Sequence, residues 1–72
     1  MQRIIFNRIK EVLAAKRRTN KDLAEAIGVT QQAVSKWVTN RHQPSIPILY
    51  RIAEYLQVQA PSLLLPEQII EE

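Results

Sequence analysis

Cysteine is absent, and glycine, histidine and aspartate occur once each, as Gly28, His42 and Asp22. Without cysteine the chain can form neither a disulfide nor a thiolate metal site. One His and one Asp do not make the cluster of three or four ligands that a metal needs. A single glycine leaves no Gly-rich loop to cradle a phosphate. A nucleophile–base pair would have to join His42 to Ser45, and a loop His beside a capping Ser is ordinary loop chemistry. We therefore expect no catalytic activity, no metal and no cofactor. No apolar run approaches the ~20 residues that span a bilayer. The opening residues Met1, Gln2, Arg3, Ile4, Ile5 and Phe6 bring a charge before any long apolar stretch, unlike a secretory leader. A cytoplasmic protein is the expectation.

Basic residues are missing from the last part of the chain. All ten Lys and Arg lie within residues 1–51, against Glu11, Asp22 and Glu25, a net +7. Residues 52–72 hold Glu54, Glu67, Glu71 and Glu72 with no base, a net −4. A basic body with an acidic end suits a polyanionic partner held on one side.

Seventy-two residues make one domain. So small a chain buries only ~60% of its unfolded surface, so close packing or a partner subunit must supplement its stability. Alternating apolar and polar stretches bounded by turn residues are lacking, and helical periodicity takes their place. Ile5, Ile9, Val12 and Leu13 share one face of a first helix, expected from Gln2 or Ile5 to Lys16. Thr19 is an N-cap for a second, short helix, with Asp22 as the acid of a capping box. Leu23, Ala26 and Ile27 form its apolar side, and Gly28 ends it in a left-handed turn. Thr30 caps a third helix over residues 31–39, with Ala33, Val34 and Trp37 facing inward. Asn40 is a good left-handed terminator. Ser45 caps a fourth helix that tolerates Pro47 in its first turn and buries Leu49, Ile52, Ala53 and Leu56. Pro61 allows a final helical turn over residues 62–65, which Pro66 stops.

Residues 20–39 carry the most information. Two short helices joined by a three-residue turn describe a helix-turn-helix unit. Helices that cross steeply need a small residue at closest approach, and Ala24 stands there. They need left-handed backbone at the turn, which Gly28 supplies. They also need apolar residues where the pair meets the core: Leu23, Ile27, Val29, Val34 and Trp37.

With these residues in place, residues 7–65 resemble the Cro/repressor-type (XRE-like) helix-turn-helix family. The resemblance rests on NRIKEVLAAK, TNKDLAEAIGVTQQAVSKW and QPSIPILYRIAEYLQV. It implies an all-α, five-helix, lambda-repressor-like domain over residues 1–66, followed by an acidic tail over 67–72. It also implies sequence-specific binding of double-stranded DNA by a dimeric transcription regulator, most simply a repressor. A prophage repressor, a restriction–modification controller and an antitoxin all fit.

The resemblance makes the third helix the recognition helix, with base contacts from Thr30, Gln31, Gln32, Ser35 and Lys36. Gln can pair with both adenine N6 and N7, and Lys can donate to guanine O6 or N7. Phosphate contacts are expected from Asn20, Lys21, Asn40, Arg41, His42 and Ser45, with Gln43 a further candidate. A homodimer surface is expected at Tyr55, Leu63, Leu64, Leu65, Ile69 and Ile70, on an inverted-repeat operator.

The chain also departs from the family. A frequent Arg–Glu pair between the first and third helices is replaced by Leu13 and Val38, an apolar contact in place of an ion pair. Arg17-Arg18 stand where Gly-Leu is usual, so Arg18 must reach solvent or find a partner. Asn40 and Gln57 also stand in place of Gly. A different reading keeps the fold without specific DNA binding, as a protein-interaction module or accessory domain. That reading calls for acids or apolar patches on the outer face of the third helix, where the sequence has Gln31, Gln32 and Lys36.

Overall fold

The computed structural model describes residues 3–71. Four α-helices are flanked by two terminal strands: β1 Arg3–Asn7, α1 Ile9–Ala15, α2 Asn20–Ile27, α3 Gln31–Val38, α4 Ile46–Leu56 and β2 Leu64–Glu71, with a 3-10 turn at Ala60–Leu63 before β2. β1 and β2 pair antiparallel, Arg3 opposite Glu71, Ile4 opposite Ile70 and Ile5 opposite Ile69. A bulge then brings Asn7 opposite Leu64.

Helices α2, α3 and α4 follow from local signals. Thr19 Oγ1 accepts from Asp22 N at 3.0 Å and the Asp22 carboxylate accepts from Thr19 N at 2.9 Å, a complete capping box. Thr30 Oγ1 accepts from Ala33 N at 3.1 Å, and Ser45 Oγ from Ile48 N at 3.3 Å. Each cap satisfies one of the donors that a helix start leaves open. The core is a single apolar cluster that includes Ile9, Leu13, Leu23, Ala24, Ile27, Val34, Trp37, Leu49, Ile52, Leu56 and Leu63. Leu13 is buried and Val38 packs against the same cluster, in keeping with an apolar substitute for the ion pair.

All four helices end on a left-handed residue: Arg17 (φ 56°), Gly28 (φ 74°), Asn40 (φ 59°) and Gln57 (φ 57°). Arg18 N–H reaches Leu13 O at 2.9 Å, Arg41 N–H reaches Lys36 O at 2.9 Å, and Val58 N–H reaches Ala53 O at 3.0 Å. These are Schellman closures, which satisfy the last carbonyls of a helix. The family's glycine turns thus form here without glycine at three of the four ends. Arg18 is exposed.

The ends of the chain correct the five-helix, all-α expectation. Residues 3–7 are a strand and the first helix begins at Ile9. The expected turn of helix over 62–65 is a 3-10 turn that ends at Leu63, and residues 64–71 are strand. Tertiary pairing overrides local periodicity here. Ile4 and Ile5 find Ile70 and Ile69 across the sheet, and β-branched side chains favour a pleated surface. The expected helix start at Gln2 and the last acid of the tail, Glu72, lie outside the described residues.

Candidate nucleic-acid interface

The helix-turn-helix is α2, the turn at Gly28, Val29 and Thr30, and α3. Gly28 N–H and Val29 N–H both donate to Ala24 O, at 2.9 and 3.0 Å, which fixes the turn. Val34 and Trp37 bury one side of α3, at 0% and 9% exposure. That burial turns Gln31, Gln32, Ser35 and Lys36 outward, and all four are exposed together with the capping Thr30. Among the described residues no acid lies on this helix, so its outer face holds amides, hydroxyls and one ammonium.

Asn20 is half-buried at the first turn of α2 and Lys21 is exposed beside it. Thr19 Oγ1 takes the Asp22 N–H, leaving the Asn20 and Lys21 N–H groups to point out of the helix start. The Asp22 carboxyl is held below the usual carboxylate range, first by the Thr19 backbone N–H and the Thr19 hydroxyl, with Arg18 and Lys21 adding to it. The two cations offset the charge that Asp22 brings to this end.

Arg41 and His42 are exposed in the loop that leaves α3. They line one open groove with Arg3, Ile4, Phe6, Asn40 and Gln43. Ser45 is exposed, although its Oγ is engaged as the cap of α4. Asn40 is different: its amide is taken up inside the protein, by β1 and Gln43.

Three residues here escaped the sequence reading. Arg3 places a cation beside Arg41 and His42, and its guanidinium also bonds Thr39 O at 3.3 Å and Glu71 at 2.6 Å. Arg51 donates to Ile27 O at 2.8 Å, placing a cation at the negative end of α2. Asn7 is a buried polar residue, at 3% exposure. A signal for Asn7 did exist, since Asn just ahead of a helical apolar run is a capping residue.

Of the residues expected at a dimer surface, Leu63 lies in the core at 0% exposure and offers no surface, a correction to that expectation. Burial of Leu63 under α4 closes the monomer core. Tyr55 and Leu65 are half-buried. Leu64, Ile69 and Ile70 are exposed, next to exposed Ile4 and Phe6 of β1.

A family model described as helix-turn-helix matches residues 9–63. A candidate DNA-binding protein from Bacteroides fragilis is similar in structure, with a TM-score of 0.81 and 43% identity over 90% of this chain and 100% of that one. The transcriptional regulator VanUg is also similar, with a TM-score of 0.71 and 26% identity over 97% of this chain and 89% of that one. A comparison with curated proteins gives no match. The family match spans α1 to the 3-10 turn, the part of the chain that builds the site, and the chain belongs to the XRE-type helix-turn-helix family.

Proposed function

We propose that this protein is a transcription regulator that binds double-stranded DNA with sequence specificity, as a homodimer and most simply as a repressor, in the cytoplasm. The observation that carries the reading is the division of α3 into two faces. Val34 and Trp37 anchor it, while Gln31, Gln32, Ser35 and Lys36 stand clear of the body with hydrogen-bonding groups suited to base edges. The Asn20 and Lys21 N–H groups at the start of α2 and the Arg41–His42 loop would hold the sugar–phosphate backbone on either side. Such contacts fix the register of the helix in the major groove.

The dimer reading rests on the terminal sheet. A two-stranded sheet is marginal by itself. Ile4 stands opposite Ile70 on one face of it, with Phe6 beside Ile4, and these three exposed side chains make an apolar patch that a second copy could cover. Two half-sites read together supply the affinity that one small interface lacks.

The test is an amide chemical-shift titration of the protein with a short duplex. The reading expects the largest shifts at Gln31, Gln32, Ser35 and Lys36, with Asn20, Lys21, Arg41 and His42 next. Shifts confined to the terminal strands, or none, would contradict it.

A further inference from the structure

Asn40 occupies a backbone position that glycine fills with less strain, because its φ is +59°. Its side chain shows why an amide stands there. Asn40 Oδ1 accepts from Phe6 N at 2.9 Å, Asn7 N at 3.1 Å and Gln43 Nε2 at 3.2 Å. Asn40 Nδ2 donates to Asn7 O at 3.2 Å. Asn7 is equally committed. Its Nδ2 donates to Trp37 O at 3.1 Å and to Gln43 Oε1 at 2.7 Å, and its Oδ1 accepts from Ile9 N at 3.1 Å. Both Asn7 amide hydrogens and its oxygen are thereby used.

These bonds join three separate parts of the chain: the end of β1, the last turn of α3 and the loop that carries Arg41 and His42. Arg3 adds a further tie between β1 and the end of α3 through Thr39 O. The loop is thus held from one side by the closure of α3, through Arg41 N–H and His42 N–H on Lys36 O, and from the other by β1.

We propose that Asn7 and Asn40 are positioning residues for DNA binding: they aim the Arg41–His42 loop at the phosphate backbone without contacting DNA. Buried Asn7 offers no surface for such a contact, and the oxygen and one N–H of the Asn40 amide are already engaged. The proposal rests on the DNA-binding reading above and adds to it a route by which the terminal sheet controls the grip.

Asn7→Ala could unfold the chain, so Asn40→Gly is the deciding variant. Glycine keeps the left-handed turn and removes only the amide. The probe is a duplex carrying a half-site selected with the wild-type protein. Asn40→Gly is expected to weaken binding about tenfold on every sequence, the scale of one charge-assisted phosphate contact. Combined with the double change Arg41→Ala and His42→Ala it should cost nothing further, because all remove the same grip. Wild-type affinity in Asn40→Gly, or losses that simply add, would overturn the proposal. Amide exchange of Arg41 and His42 in the free protein provides a readout without DNA. It should speed up in Asn40→Gly, and unchanged exchange would overturn the proposal too. A wild-type protein that binds no duplex would instead defeat the DNA-binding reading itself, a separate outcome.

Discussion

The amide of Asn40 makes a two-point bridge to the backbone of Asn7, accepting from its N–H at 3.1 Å and donating to its carbonyl at 3.2 Å. A side chain here does for Asn7 what a neighbouring strand does for a strand residue. Asn7→Ala leaves this bridge in place but removes the side-chain bonds to Trp37 O, Gln43 and Ile9 N inside the protein. Leaving such groups unpaired is expected to cost roughly 2 kcal/mol. Urea unfolding should show a lower midpoint at an unchanged slope. A midpoint equal to wild type would mean that the network contributes nothing to stability.

Gln57 ends α4 at φ 57°, where a side chain is strained and glycine is not. Gln57 is exposed. Gln57→Gly is therefore expected to stabilise the fold by about 1 kcal/mol, offset in part by the greater freedom of glycine when unfolded. Thermal unfolding should show a midpoint raised by a few degrees. A lower midpoint would show that Gln57 makes a contribution beyond its backbone.

Asp22 makes the stability of α2 depend on pH. Its folded pKa is lowered by Thr19, Arg18 and Lys21. A lowered pKa means that its stabilisation is complete above the unfolded carboxylate value of about 4 and is lost as pH falls through the folded value. Asp22→Asn keeps an oxygen for the Thr19 N–H and removes the charge. The wild type should be more stable than Asp22→Asn at about pH 7, and the gap should close as pH falls through the lowered folded value. A gap that persists in acid would assign the effect to shape and not to charge.

Gln32 and Arg41 should fail in different ways. Gln32→Ala is expected to cost roughly 1–3 kcal/mol for one base pair of the site and little elsewhere. Arg41→Ala should weaken all sequences alike and reduce the salt slope by about 1. Competition binding against single base-pair variants, repeated at several salt concentrations, separates the two. An equal loss on every sequence for Gln32→Ala would remove it from base readout, and an unchanged slope would remove Arg41 from the phosphates.

The part of the fold legible in the sequence is the part built from local rules. Thr19, Thr30 and Ser45 announce helix starts, Gly28 announces the turn, and Leu23, Ile27, Val34 and Trp37 keep helical spacing. The terminal strands were not legible because Ile4 and Ile5 meet partners at the far end of the chain, with no hairpin turn between them. Ile5 and Ile9 also happen to fall one helical turn apart, so the strand mimics the start of a helix. The outer face of α3 could be read from residue types alone. Internal use of the Asn40 amide could not, because it depends on where β1 passes.

The central claim is that α3 reads base sequence in double-stranded DNA, and a binding selection on random duplexes tests it most directly. It should be run at roughly physiological salt, where nonspecific phosphate binding is weak. The account predicts enrichment of an inverted repeat whose half-sites lie about one helical turn apart. Folded protein that enriches no motif would contradict it and favour a helix-turn-helix domain turned to binding proteins.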